Sequence, residues 1–166
     1  ALARAAKWPV KQAELLGQAA SMHDTGKIGI PDSILKAPRK LTSDEWDIMR
    51  THSEIGYGIL NISESPLFKL AAEVALSHHE RWDGTGYPQG LKAEQIPESA
   101  RIVAIADVFD ALTMKRPYKD AWSIEKAFKL LQEESGSHFD KALVDLFISI
   151  KSEILAIKSH WDLQKS

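Results

Sequence analysis

The chain has 166 residues, 44% of them hydrophobic, with 21 Lys and Arg against 23 Asp and Glu, a formal net charge of -2 and no cysteine. That length makes one domain with a sizeable core, and the balanced charge argues against a nucleic-acid duplex or an anionic membrane as the main partner. The lack of thiols excludes a disulfide framework and any thiolate metal site, leaving imidazole and carboxylate as ligands; there is no signal peptide and no run of about 18 apolar residues, so a cytoplasmic chain without membrane contact is expected.

The opening Ala1-Leu2-Ala3-Arg4-Ala5-Ala6 has the composition of mid-helix, which suggests a piece of a longer protein, and Leu2 to Lys7 reads as a helix tail. Pro9 suits the first turn of the next helix, whose apolar face (Leu15, Leu16, Ala19, Met22) leads to His23. The run Gly26-Lys27-Ile28-Gly29-Ile30-Pro31-Asp32 breaks that pattern. Thr42-x-x-Glu45 is a capping box opening a helix through Trp46, Ile48, Met49, His52 and Ile55. Another helix spans Pro66 to His79 on the face of Leu67, Leu70, Ala71, Val74 and Ala75. Residues 80–98, rich in Gly and Pro, form the longest irregular segment.

A strongly apolar helix follows, roughly Ala100 to Met114. After the Pro117 break, Ser123 caps a helix through Ile124, Ala127, Phe128 and Leu131, and a last helix carries Leu143, Leu146, Phe147, Ile150, Ile154, Leu155 and Ile157 at three- and four-residue spacing. No segment shows strand alternation. The expectation is an all-α bundle of about six to seven helices around one core, with residues 1–166 as a single domain.

His23, His52, His78 and His79 fall at or near helix ends or on polar faces, Asp24 adjoins the first, and Asp107 interrupts the apolar run Ile102-Val103-Ala104-Ile105-Ala106. A carboxylate buried there is costly unless paired or bound to a cation; Arg101 is the alternative partner for Asp107, and a lone helical histidine is ordinarily capped or solvated. Six such residues in one short domain, two of them as adjacent His-Asp and His-His pairs, favour a metal centre. Imidazole with carboxylate and no sulfur suits Fe, Mn, Zn, Ni or Co. Such sites commonly hold two or more ions about 3.5–4 Å apart that clamp both oxygens of an in-line phosphoryl displacement. Neighbouring side chains on a helix diverge by roughly 100°, so near a helix end each member of a pair can reach a different ion. Phosphate-ester hydrolysis is the reaction class this points to.

His23-Asp24-x-Gly26-Lys27, followed by His78-His79-Glu80-x-x-Asp83-Gly84-x-Gly86-Tyr87-Pro88, resembles the HD-GYP family. The likeness continues through Ile28 to Asp32, Glu45-Trp46, Gly90-Leu91, Ile96-Pro97, Ala100 to Val103, Asp107-Val108-Phe109-Asp110-Ala111-Leu112-Thr113, Arg116-Pro117-Tyr118-Lys119 and Phe139-Asp140. The resemblance implies an all-helical HD-domain fold with an irregular GYP loop. It also implies a metal-dependent phosphodiesterase that opens the bacterial second messenger cyclic di-GMP to pGpG and on to GMP. His23, Asp24, His52, His78, His79 and Asp107 would hold two or three divalent ions, iron or manganese, with Asp24 bridging. Lys27 would stabilise charge at the scissile phosphate alongside Asp24 as catalytic residues, and Arg116, Lys119 and Tyr87 would contact the substrate.

Family members act as the output of an upstream sensor or receiver domain, so such a partner is expected, as is a homodimer. The family pattern also places a glutamate and a further histidine well upstream of the His-Asp pair. The 22 residues before His23 contain no histidine, so the family's N-terminal helix or helices are expected to be missing. That keeps open a catalytically impaired cyclic di-GMP-binding module, or a hydrolase of another cyclic dinucleotide or nucleotide. Glu80 and Asp83 read either as supports for the metal ligands or as partners of Arg81 and Lys92. Asp110 reads as a structural partner of Arg101 or Arg116, His138 and His160 as surface residues, and Trp122 and Trp161 as packing.

Overall fold

The computed structural model describes residues 1–117 and 119–165, so Tyr118 of the family-like motif lies outside the described residues. The helices run in the order α1 (Leu2–Ala5), α2 (Val10–Ala20), α3 (Asp32–Leu35), α4 (Ser43–Arg50), α5 (His52–Leu60), α6 (Pro66–Ser77), α7 (Glu98–Thr113), α8 (Ile124–Glu133), α9 (Lys141–Ser149) and α10 (Lys151–Gln164). Single 3-10 turns occupy Thr25–Gly29 and Ala93–Gln95. Among the described residues there is no strand, only isolated bridges at Arg116/Lys119 and Ser135/Phe139, and no helix is long and apolar enough to cross a membrane. The all-α expectation holds.

Local chemistry starts three of the helices, two of them where the sequence placed the caps and a third, at Asp140, where it did not. The Thr42 hydroxyl accepts from the Glu45 N–H, and the Glu45 carboxylate accepts from the Thr42 N–H. Ser123 caps α8 through the Lys126 N–H, and Asp140 caps α9 through the Ala142 N–H. Each such cap satisfies an N–H that the helix leaves unpaired. Two expected helices are divided in the fold. The run from Thr42 through Ile55 breaks at Thr51, whose N–H and hydroxyl both bond to the Ile48 carbonyl, at 3.1 and 2.6 Å. The C-terminal run breaks at Ile150, where φ is -102° and ψ 23°, after the Ser149 hydroxyl has taken the Leu146 carbonyl at 2.6 Å. At Thr51 the side-chain hydroxyl competes for the backbone acceptor that would continue the helix, whereas the Leu146 carbonyl still accepts the Ile150 N–H at 3.2 Å.

The main core gathers around α7. Phe109, Phe128 and Phe147 meet with ring centroids 5.2–5.4 Å apart, packed with Ile105, Leu131, Leu143 and Val144. Burying each such side chain is worth about 1.5–3 kcal/mol. A second cluster of small residues (Ala19, Ala71, Ala72, Ala75) with Leu60 joins α2, α5 and α6. Trp161, expected to pack, stands 57% exposed on α10; α10 buries no residue fully, because only one of its faces meets the body.

The approach of the Thr25–Gly29 turn to α5 is closer than any side chain permits. A Cβ on Gly26 would overlap the His52 carbonyl and lie 2.5 Å from the Gly56 nitrogen. Gly26→Ala must therefore push the turn off α5, and the expected loss of stability is about 1–3 kcal/mol or more. Chemical denaturation of the two proteins measures it; a loss under about 0.5 kcal/mol, the size of a neutral surface change, would contradict this contact.

Candidate metal centre

Four helices meet at one place. His23 and Asp24 follow α2, His52 opens α5, His78 and His79 follow α6, and Asp107 projects from the middle of α7. Asp24, His52, His78 and His79 each offer a ligand atom, all within 4.8 Å of one another. Asp24 divides its two oxygens between neighbours. Oδ1 faces the Nε2 atoms of His52 and His78 at 3.9 and 3.8 Å, and Oδ2 faces His23 Nε2 at 3.3 Å and Lys27 Nζ at 3.1 Å. Asp107 Oδ1 closes the group at 3.2 Å from His23 Nε2. All six expected ligands are thus together, with Lys27 beside them.

The histidines are aimed by the backbone. Nδ1 of His23 lies 2.6 Å from the Ala20 carbonyl, that of His52 2.7 Å from Met49, and that of His78 3.0 Å from Val74. A carbonyl can only accept, so each Nδ1 carries the proton and each Nε2 turns inward. For His52 and His78 that inward Nε2 is buried without a hydrogen-bond partner. A buried, unpaired nitrogen is costly, and two such nitrogens converging beside a carboxylate suit a divalent cation. The residues present therefore fit a metal.

Electrostatics separate two kinds of histidine. Burial, then the charge of His23, pulls His78 down to about 4; burial and the neighbouring imidazoles pull His79 down to about 3. Both imidazoles are neutral at physiological pH. Burial opposes the charge on His23 as well, but hydrogen bonds to Asp107 and Asp24 outweigh it and raise His23 to about 10. Asp24 is held below the usual carboxylate range because His23 and Lys27 overcome its burial.

The irregular loop is folded over this centre by Glu80. Its buried carboxylate accepts the N–H groups of Gln89 and Leu91 at 2.7 and 3.0 Å, a role neither sequence alternative offered. Gly86 packs on the backbone of residues 79–81, where a Cβ would collide. Tyr87 is thereby stacked on His79, with centroids 4.9 Å apart and planes at 17°. Asp83 binds the Thr85 N–H and hydroxyl and lies 3.7 Å from Arg81.

Other expectations fall elsewhere. Arg116 and Lys119 stand beyond the end of α7 and make no polar contact with the cluster; the Lys119 ammonium lies 5.4 Å over the Trp122 ring. Arg101 forms its ion pair with Asp140 at 2.6 Å, so Asp110 has neither expected arginine and is exposed. His138, expected at the surface, is half-buried and stacked on Phe139, whereas His160 is exposed. Sequence reasoning missed Arg50, whose guanidinium lies 5.6 Å over Tyr87. Its position two residues before His52 was the available signal. It also missed a cleft of about 540 Å³ between α2, α7 and α10 that has His23, Asp107 and Asp110 in its wall.

The HD domain family model matches residues 1–143. The chain belongs to the HD domain family. The HD-GYP assignment read from the motifs stands with it. A cyclic di-GMP phosphodiesterase of Thermotoga maritima is 51% identical over 136 residues, 82% of this HD domain chain and 37% of that protein. The 3'3'-cGAMP-specific phosphodiesterase 2 of Vibrio cholerae is 48% identical over 148 residues, 89% of this chain and 28% of that protein. The HD domain chain thus spans well under half the length of these relatives. The crystal structure of a cyclic GMP-AMP specific phosphodiesterase of V. cholerae superposes with a TM-score of 0.69 over 91% of this chain and 41% of that one; at 20% identity this is a likeness of fold alone.

The two kinds of histidine give a pH signature in the chain without added metal. His78 and His79 stay neutral in the fold while the unfolded chain takes up protons below 6.5, so stability falls as pH drops from 6.5 toward 4. The His23 contribution has the opposite sign: it is complete below 6.5 and is lost as pH rises toward 10. Thermal melts across this range should show the Tm declining on both sides. Metal added near pH 7 in weak buffer should also release protons, because His23 must shed its Nε2 proton to become a ligand. Metal uptake without proton release would exclude His23 from the ligand set.

Proposed function

We propose that this chain is a metal-dependent phosphodiesterase that opens cyclic di-GMP to pGpG and on to GMP. The observation that carries the reading is the pair of bare, buried Nε2 atoms on His52 and His78 directed at one oxygen of Asp24, while the other oxygen meets His23 and Lys27. A carboxylate with a nitrogen set on either side is suited to bridging. His23, Asp24, His52, His78, His79 and Asp107 would hold two or three divalent ions, iron or manganese. Bound there, such ions acidify a water and neutralise phosphoryl charge.

The chain's own groups do the rest. Backbone carbonyls hold the imidazoles in one tautomer, so the donor set is assembled before substrate arrives. Lys27, tethered to Asp24 at 3.1 Å, brings a cation to the phosphoryl oxygens where negative charge grows. Tyr87 walls the entrance from the His79 side, and Arg116 and Lys119 engage the far phosphate or a guanine edge from the segment after α7. The names of the relatives support a cyclic dinucleotide as substrate. The domain would act in the bacterial cytoplasm, as a homodimer, with a sensor or receiver module upstream in the same protein.

Chromatographic product analysis with Mn²⁺ or Fe²⁺ present tests this. Wild type should yield pGpG, and His23→Ala with Asp24→Ala should abolish turnover while circular dichroism stays helical. Lys27→Ala should lower kcat by about 10²–10³ with full metal content. Undiminished hydrolysis by the double variant would sink the assignment, and preferential turnover of 3'3'-cGAMP would transfer it to the second substrate.

A further inference from the structure

Asp110 stands one turn beyond Asp107 on α7, about 4.5 Å along the axis, and both carboxylates border the cleft of about 540 Å³ that also reaches His23. The cleft is continuous with the metal centre at one end. Its floor is apolar, with Phe109 and Phe147, and Trp161 of α10 forms the opposite wall. Its volume is that of a small-molecule site. The other acidic group there, Asp162, is occupied by Lys158 at 3.3 Å. Among the described residues Asp110 makes no hydrogen bond or ion pair through its side chain, which leaves an acceptor-only group facing an apolar slot next to the reaction centre.

We propose that this cleft receives one guanine of the cyclic dinucleotide, with the Asp110 carboxylate accepting from its N1–H and N2–H groups and the Trp161 indole stacking on its face; the proposal rests on the phosphodiesterase reading above. An ionised carboxylate offers two acceptors and no donor. Guanine presents two adjacent donors on its Watson–Crick edge. Adenine presents a lone pair at N1, which a carboxylate repels. Stacking on an indole, by contrast, serves any base. The two residues thus divide the work: Trp161 supplies affinity without selection, and Asp110 supplies selection, since a site built to hydrogen-bond one edge rejects the analogue lacking it. The relatives include phosphodiesterases named for cyclic di-GMP and for 3'3'-cGAMP, and both dinucleotides carry a guanine that such a subsite would take. Trp161 lies beyond the residues that the family model matches.

Calorimetric titration of the full chain without added metal tests the subsite apart from catalysis, using cyclic di-GMP and cyclic di-AMP. Wild type should favour cyclic di-GMP by roughly tenfold or more. Asp110→Asn should reduce that preference to within about twofold, Asp110→Glu should retain most of it, and Trp161→Ala should weaken both ligands by a similar factor, roughly tenfold. An unchanged preference in Asp110→Asn, or an equal loss on both ligands, would overturn the proposal. The two readings fail separately. Selective binding without cleavage when Mn²⁺ is supplied removes the hydrolase and leaves the subsite, whereas cleavage with unaltered preference in Asp110→Asn removes the subsite and leaves the hydrolase. Wild type that binds neither dinucleotide overturns the subsite outright.

Discussion

The Asp24 carboxylate is the point on which this structure turns. One oxygen meets the nitrogens that enter from α5 and α6, and the other meets His23 and Lys27 from its own segment. It can reach both sets only because the turn that follows it lies directly on the α5 backbone, with Gly26 against the His52 carbonyl. A carboxylate so placed has charged donors on one side and, on the other, two buried imidazole nitrogens with no hydrogen-bond partner. The His52 and His78 side of the centre is therefore organised for a cation, while His23 and Lys27 pair with the carboxylates on the other side, and the cost of the unpaired nitrogens is borne by the packing around them.

That packing comes from two directions. Small residues let α2, α5 and α6 approach closely, so that their ends fall within a few side-chain lengths of one another. The phenylalanine core fixes α7, and with it Asp107, from the far side. The irregular loop adds a third constraint. Glu80 holds two of its backbone N–H groups and Gly86 lets it press on the residues just after α6, so Tyr87 covers His79 without a helix or strand to carry it. A buried carboxylate bonded to backbone N–H groups is an economical way to close such a loop, since it satisfies both the charge and the donors.

Much of this was legible beforehand. The caps at Thr42 and Ser123, the apolar face of α7 and the interruption at Asp107 follow from residue chemistry and period alone. The candidate ligands stood out because His-Asp and His-His pairs near helix ends are rare without a purpose, and the fold brings them together. Other features depended on competition that no linear pattern reveals. Thr51 divides a helix because its hydroxyl takes a backbone acceptor. Arg101 passed over the nearby Asp110 for Asp140, thirty-nine positions away, since the fold brings that carboxylate within reach.

The sequence by itself determined the helical class, the ligand types and the family, because those follow from which side chains are present and how they are spaced. The packed fold alone settles how the histidines share Asp24, which imidazole nitrogen faces inward, what Glu80 does and what Asp110 is free to meet. Those depend on distances between segments far apart in the chain, and such distances exist only once α2, α5, α6 and α7 have packed.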